Sequence, residues 1–156
     1  MVIDADALRR LPDIGRASAL LTPHAGELAF LLDVERSTVI SDPLATVRQA
    51  AAKTGCTVLL KGATQYVATP GADTVQLAVP GPAWTAQAGS GDVLAGIAGT
   101  LLAAGLEPVA AAVLAASVQA LAARAHPGPI PPQELAAALP GVIAAFGDAG
   151  APAELA

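Results

Sequence analysis

The sequence has few residues of several chemically informative kinds, and each shortage excludes a class of protein. Its single cysteine, Cys56, excludes a disulfide framework and a cysteine-based metal site. Lysine and arginine together number 8 against 13 acidic residues, which argues against a nucleic-acid-binding surface, because such a surface needs clustered positive charge. Charged residues make up only 13% of the chain and hydrophobic residues 54%, which excludes a disordered chain and indicates extensive burial.

No targeting or membrane-spanning segment is recognisable in the 156 residues. The chain opens with MVIDADAL, which has acids where a signal peptide has positive charge. The most apolar stretch, residues 109–125, is interrupted by Ser117, Gln119 and Arg124, so it falls short of the continuous apolar span that a membrane helix requires. We therefore expect a soluble, cytoplasmic protein that binds neither nucleic acid nor membrane.

The order of predicted strands and helices is that of an α/β fold. The predicted strands are residues 1–3, 19–22, 57–60, 65–68 and 74–79, and the predicted helices are 26–32, 43–54, 92–104, 108–125 and 133–146, the last with an interruption near Pro140-Gly141. The helix over 43–54 has the clearest ends, because Asp42 can cap it, Pro43 suits its first position and Gly55 follows it. Strands separated by helices predict a mainly parallel sheet with helices on both faces.

One segment, Gly89-Ser90-Gly91-Asp92, has the composition of an anion-binding loop. Glycines let the backbone approach a ligand and turn its amides inward. The helix predicted to follow adds free amides and the positive end of its dipole at the same point. The segment therefore predicts an anion loop at Gly89, Ser90 and Gly91. A plain turn with Asp92 only capping the helix is the alternative that these four residues leave open.

Three longer motifs resemble the NAD(P)H-hydrate dehydratase family of the ribokinase-like superfamily. They are LTPHAGELAFLL at 21–32, VLLKGATQYVA at 58–68 and AGSGDVLAGIAGTLLAAGLEP at 88–108, and their order and gaps also match, as does the opening VIDADAL. The resemblance implies a three-layer α/β/α fold with a mainly parallel sheet. It also implies that residues 1–148 are the C-terminal portion of a single domain, lacking its N-terminal part, with a disordered tail at 149–156. We therefore expect the isolated chain to be marginally stable or to self-associate.

The resemblance implies roles for individual residues. The residues that match the family's AMP-binding loop are Lys61, Gly62, Ala63, Thr64 and Gln65, with Gly91 also touching the nucleotide. His24 matches a residue that contacts the hydrated dinucleotide. Asp92 matches the aspartate that faces the substrate's hydroxyl, where a carboxylate can act as catalytic base.

The implied reaction converts the 6S hydrate of NADH or NADPH back to NADH or NADPH and releases phosphate. Its co-substrate is ADP in bacterial members and ATP in eukaryotic ones, with Mg²⁺, whose ligands the sequence does not identify. The expected partners are the hydrate, the nucleotide and further copies of the chain in a homo-oligomer such as a tetramer. A departure from the family is Gln119, which stands where members often carry a histidine.

Other interpretations remain open at this point. From spacing alone, His24 fits a helix cap and Lys61 a solvated surface residue. Asp4 and Asp6 follow the first predicted strand, where α/β folds place ligand sites, and a metal or a structural role fits both. A ribokinase-like small-molecule kinase would use the same glycine loop and stop after phosphoryl transfer, although the Thr-Pro-His-x-Gly-Glu segment argues against it. A non-catalytic nucleotide-binding module is the third possibility.

Overall fold

The secondary structure alternates between short strands and longer helices, in a computed structural model that describes residues 1–13 and 19–149. The strands are β1 (Val2–Ile3), β2 (Leu20–Leu21), β3 (Thr57–Leu60), β4 (Tyr66–Ala68) and β5 (Val75–Leu77). The helices are α1 (Ala25–Leu32), α2 (Arg36–Ser41), α3 (Pro43–Thr54), α4 (Ser90–Ala103), α5 (Pro108–Arg124) and α6 (Pro132–Ala149), with 3₁₀ segments at Ala5–Asp13 and Ala83–Thr85. In this part of the chain, none of the helices combines the length and the hydropathy that crossing a bilayer demands.

The strands form one mixed sheet in the order β1-β2-β3-β4-β5. The first three strands run parallel, with Ile3 opposite Leu21 and Leu21 opposite Val58. The pairs β3–β4 and β4–β5 are antiparallel, which matches the hairpin that the sequence predicts for the last two strands. The half of the sheet formed by β1, β2 and β3 therefore has the parallel strand ends at which α/β folds bind ligands.

Helices cover both faces of this sheet. Neighbouring residues of a strand point to opposite faces, so strands that are apolar throughout need a layer of helices on each side. On one face, Leu21 and Val58 belong to a buried cluster with residues of α1, α2 and α3. On the other face, Leu20 and Leu59 belong to a second cluster with residues of α4 and α5. The predicted three-layer α/β/α arrangement with a mainly parallel sheet is confirmed.

The ends of α3 follow the signals in its sequence. The Asp42 carboxylate accepts a hydrogen bond from the backbone N–H of Ala45 at 3.0 Å, and Pro43 occupies the first helical position. Gly55 ends the helix with φ of 69°, a left-handed conformation that glycine adopts without strain. These local interactions explain why the predicted limits of this helix are correct.

The start of α4 and the course of α6 differ from the predictions. Helix α4 begins at Ser90, two residues before the predicted start at Asp92, because Gly89 is the left-handed residue that precedes the helix and leaves Asp92 inside the first turn. Helix α6 continues through Pro140 without the predicted interruption. Leu135 on one side of the proline and Val142 on the other both pack in a cluster against α5, and this packing offsets the hydrogen bond that proline removes.

Three helical segments were not predicted: α2, and the 3₁₀ segments Ala5–Asp13 and Ala83–Thr85. Leu8 and Leu11 of the segment Ala5–Asp13 and Val39 of α2 pack in the first cluster, and this tertiary packing stabilises helices as short as these. Helix α6 includes Ala149, the last of the described residues. The rest of the predicted tail, residues 150–156, lies outside the described residues.

Candidate functional site

The parallel strands β1, β2 and β3 end at one edge of the sheet, and a polar residue follows each of them. Asp4 follows β1, His24 comes three residues after β2, and Lys61 follows β3. The backbone N–H of Lys61 donates to the carbonyl oxygen of Pro23 at 2.8 Å, which extends the β2–β3 pairing to His24. The sheet register therefore brings together residues that lie far apart in the sequence.

Lys61 forms an ion pair with Asp4 at this edge. Its Nζ lies 2.7 Å from Oδ1 of Asp4 and 3.9 Å from Oε2 of Glu27. The side chains of Lys61 and Asp4 are only 19% and 16% exposed, so water screens their attraction weakly. Ala5, which follows Asp4, has φ of 50°, an uncommon conformation for a non-glycine residue. The alternative interpretation of Lys61 as a solvated surface residue is wrong, because two carboxylates hold it.

His24 caps the N-terminus of α1. Its Nδ1 accepts a hydrogen bond from the N–H of Glu27 at 3.0 Å, and Oε2 of Glu27 accepts one from the N–H of His24 at 2.8 Å. This reciprocal pair is a capping box. Because Nδ1 accepts, the neutral ring carries its proton on Nε2. The side chain is still 60% exposed, so capping leaves most of the ring accessible to a ligand.

The glycine loop lies beside Lys61. Gly89 has φ of 85° and precedes α4, whose first turn has no side-chain cap. The backbone N–H groups of Gly91 and Asp92 are therefore among the donors that a helix start leaves free. A β carbon at Gly91 would lie 3.5 Å from Nζ of Lys61 and 3.6 Å from Oδ2 of Asp4. Free amides, a helix dipole and a lysine thus meet at one point and favour an anion there, while the Asp4 carboxylate pairs with the same lysine.

These elements line one cavity of about 390 Å³. Its lining residues are His24, Lys61, Gly62, Gln65, Thr85, Ala86, Gln87, Ser90, Gly91, Leu94 and Gln119. Among the described residues, Oε1 of Gln65 is a buried polar atom without a hydrogen-bond partner. An unpaired buried acceptor is costly, and a ligand with a donor group would satisfy it. The cavity therefore suits a ligand with anionic groups at one end and hydrogen-bond donors near Gln65.

The predicted site residues divide into two groups by position. Six of them line the cavity: His24, Lys61, Gly62, Gln65, Ser90 and Gly91. The other four predicted residues are exposed and lie outside the cavity lining: Ala63, Thr64, Gly89 and Asp92. Ala63 and Thr64 continue the loop that begins at Lys61, and Asp92 lies on the first turn of α4, next to the cavity residue Gly91.

Asp4 and five of the cavity-lining residues were not among the predicted site residues: Thr85, Ala86, Gln87, Leu94 and Gln119. Asp4 pairs with Lys61. Its position directly after a predicted strand was the sequence feature that could have marked it as a site residue. Gln119 is 6% exposed, and its Nε2 donates to the carbonyl oxygen of Ser90 at 2.7 Å. A glutamine within the apolar stretch 109–125 was the signal there, since a buried amide needs a partner.

The described residues do not form a site at which protein side chains alone would surround a metal ion. Residues 1–13 and 19–149 contain no group of three or more His, Cys, Asp or Glu side chains placed to hold a metal ion. Proteins usually bind Mg²⁺ through one or two carboxylates together with substrate phosphates. An ion that arrives with a nucleotide therefore needs no larger cluster.

Known proteins resemble this chain in sequence. A family model described as NAD(P)H-hydrate dehydratase matches residues 1–139. The bifunctional NAD(P)H-hydrate repair enzyme of Mycobacterium leprae is 44% identical over 138 residues, which are 83% of this chain and 28% of that protein. The ADP-dependent (S)-NAD(P)H-hydrate dehydratase of Cenarchaeum symbiosum is 37% identical over 150 residues, which are 92% of this chain and 52% of that protein. The chain thus spans about a quarter to a half of the length of these two relatives.

A solved structure shares the fold. The ADP/ATP-dependent NAD(P)H-hydrate dehydratase of Bacillus subtilis, co-crystallised with ATP and Mg²⁺, superimposes with a TM-score of 0.80 at 24% identity. The match covers 93% of this chain and 54% of that one, and it confirms the ribokinase-like fold. Because the family model extends over residues 1–139 of the 156, the chain belongs to the NAD(P)H-hydrate dehydratase family.

Proposed function

We propose that the chain is the nucleotide-handling portion of an enzyme that uses ADP or ATP to dehydrate the 6S hydrate of NADH or NADPH. The products are NADH or NADPH, phosphate and the shortened nucleotide. The observation that carries this proposal is the shared cavity, in which the loop after β3 and the glycine segment at the start of α4 meet although about thirty residues separate them. The relatives named for this activity in Cenarchaeum symbiosum and Bacillus subtilis support it.

In this proposal the nucleotide lies along the loop from Lys61 to Gln65. The unpaired Oε1 of Gln65 accepts a hydrogen bond from a hydroxyl or amino group of the nucleoside. Gly62, Ala63 and Thr64 leave an open approach for the nucleotide, because all three are exposed. The phosphates then extend towards Gly91. Nζ of Lys61 is near this residue, since it would lie 3.5 Å from a β carbon placed there.

The chemistry follows from the poor leaving ability of hydroxide. Transfer of the terminal phosphoryl group to the hydroxyl oxygen of the hydrate makes the later C–O cleavage a loss of phosphate. We assign the removal of the hydroxyl proton to the carboxylate of Asp92, whose exposure leaves it open to a substrate on that side of α4. The amides of the loop Gly89–Gly91 stabilise the negative charge on the transferred group. Mg²⁺ on the phosphates, when bound, neutralises part of that charge.

The hydrated dinucleotide is proposed to lie against His24. A second cavity of about 240 Å³ adjoins this histidine and is lined by Asp6, Arg9 and Glu27, among others. Because the chain spans at most about half of the relatives compared, we propose that residues 1–148 are part of a larger domain. Residues outside this chain then complete the dinucleotide pocket.

The sharpest test of the nucleotide site uses the only two lysines of the chain, Lys61 and Lys53. Lys53 is exposed and donates to the carbonyl oxygen of Leu31 at 2.9 Å, away from the cavity. Titration calorimetry with ADP should show binding to the wild-type chain and to Lys53→Met, and binding about tenfold or more weaker to Lys61→Met, since a charge-assisted hydrogen bond is lost. Equal ADP affinity in the two variants would refute the site.

We further propose that the chain assembles as a homo-oligomer, through an apolar cleft of about 550 Å³ between α5 and α6. Phe146 of α6 lines this cleft and is 50% exposed, and Ile143 on the same helix is 56% exposed. Exposed apolar residues grouped on one helix favour association. Sedimentation velocity of the wild-type chain and of Phe146→Ser should show a larger species only for the wild type. A wild-type monomer at all concentrations would contradict this assembly.

A further inference from the structure

Gln119 is a buried polar side chain in the apolar middle of α5 that reaches the start of α4. It is 6% exposed, and the neighbouring Ala116 and Ala120 are buried. Its Nε2 lies 2.7 Å from the carbonyl oxygen and 3.2 Å from Oγ of Ser90. Since burial of an amide is unfavourable unless it is hydrogen-bonded, these two interactions hold Gln119 and Ser90 together.

The chemistry of the partners fixes the direction of both interactions. A carbonyl oxygen can only accept, so the amide nitrogen of Gln119 must face Ser90, and the orientation of the amide is settled. The same nitrogen donates to Oγ of Ser90, which makes that hydroxyl an acceptor on the α5 side. Within the described residues, the hydroxyl hydrogen of Ser90 donates to no other group, so it remains available on the side of the cavity that Ser90 lines.

We propose that Gln119 is a positioning residue for the anion loop. By holding Ser90 from the α5 side, it makes the Ser90 hydroxyl a donor towards a phosphate-bearing ligand, beside the free amides of Gly91 and Asp92. The identity of that ligand as a nucleotide rests on the proposed function. The role of Gln119 is indirect, because it acts on the phosphate group through Ser90.

A purely structural role makes a different prediction. If Gln119 only joined α5 to α4, its loss would loosen the whole cavity wall, and ligands with and without phosphate would bind less well by the same factor. A positioning role restricts the loss to ligands with phosphate, because the Ser90 hydroxyl faces that group alone. Adenosine and ADP therefore form the informative pair of probes.

The experiment compares Gln119→Leu, which keeps the side chain large but removes the donor, with Ser117→Ala on the same helix. Ser117 accepts a hydrogen bond from the N–H of Val79 at 3.1 Å and is absent from the cavity lining. In calorimetric titrations of the purified chain, Gln119→Leu should bind ADP about tenfold more weakly and adenosine unchanged, since two hydrogen bonds that position the loop are lost. Ser117→Ala should bind both as the wild type does.

Ser90→Ala provides a second measurement that does not depend on the folding of a core variant. It should weaken ADP binding by about tenfold or more, at least as much as Gln119→Leu does, since a charge-assisted hydrogen bond to phosphate is lost, and it should leave adenosine binding unchanged. Adding Gln119→Leu to Ser90→Ala should then cost less than it costs in the wild type, because both changes act through the same hydroxyl. Unchanged ADP binding in Ser90→Ala, or equal weakening of ADP and adenosine in Gln119→Leu, would overturn the inference. A wild-type chain that binds adenosine but not ADP would instead overturn the proposed function together with it.

Discussion

Nζ of Lys61 lies 2.7 Å from Oδ1 of Asp4, although 57 residues separate the two in the sequence. The ion pair joins the ends of β1 and β3, which are not neighbours in the sheet because β2 lies between them. Glu27, on the helix after β2, approaches the same lysine at 3.9 Å. One lysine thus connects the ends of three parallel strands and stands at the wall of the cavity that the glycine loop completes.

Loss of this pair should destabilise the chain. Asp4→Asn leaves a poorly exposed lysine with only the more distant Glu27, and we expect the free energy of unfolding to fall by about 1–3 kcal/mol. Asp73→Asn is the matched control, since Asp73 is fully exposed and its ion pair with Arg48 spans 4.0 Å. Urea denaturation should show the loss in Asp4→Asn and less than about 0.5 kcal/mol in the control. Equal stability of the two variants would mean that the pair contributes nothing.

Replacement of Asp92 tests the proposed base. In the complete enzyme, Asp92→Asn should lower kcat for hydrate repair by about a hundredfold or more, because an amide cannot accept the hydroxyl proton. ADP binding should change little, since Asp92 lies outside the lining of the nucleotide cavity. Asp33→Asn serves as control, because Asp33 ends α1 with φ of 60°, a conformation that asparagine also adopts readily. Near-normal turnover by Asp92→Asn would remove Asp92 from the mechanism.

Two glycines of α4 should respond in opposite ways to a methyl group. In Gly91→Ala the new β carbon lies at ordinary contact distance from Lys61 and Asp4, so the chain should fold. The methyl occupies the space between the loop and the lysine, and we expect about tenfold weaker ADP binding. Gly96→Ala meets nothing within 4 Å, so it should raise stability by about 0.5–1 kcal/mol and leave ADP binding unchanged.

Calorimetry and thermal melting of both glycine variants provide the comparison. Gly91→Ala should show weaker ADP binding without a loss of stability. Gly96→Ala should show higher stability with unchanged ADP binding. If ADP bound equally well to both, the space beside Lys61 would not be the position of a phosphate.

The layer arrangement predicts a contrast between two leucines of the sheet. Leu59 is fully buried between β3 and the α4–α5 layer, so Leu59→Ala should cost about 2–5 kcal/mol of unfolding free energy. Leu77 on β5 is 57% exposed, and Leu77→Ala should change stability by less than about 0.5 kcal/mol. Denaturant titration of both variants measures the difference, and a large loss in Leu77→Ala would indicate that another surface covers β5.

The sequence by itself determined the features whose signals lie within a few residues of each other. Asp42, Pro43 and Gly55 set the limits of α3, because capping and the left-handed end are interactions between chain neighbours. The strands and the hairpin follow in the same way from short apolar runs and turn residues. Lys61, Gln65 and Gly91 were also predicted as site residues, because the family's motifs are contiguous in the sequence.

Only the tertiary structure decided how these local elements meet. The pairing of Asp4 with Lys61 depends on the register of β1, β2 and β3, and the contact between Gln119 and Ser90 depends on the packing of α5 against α4. The continuation of α6 through Pro140 has the same origin, since packing on both sides of the proline overrides its local preference. No pattern within a single segment encodes a contact between two segments, because its free energy comes from burial and hydrogen bonds that exist only after the layers have assembled.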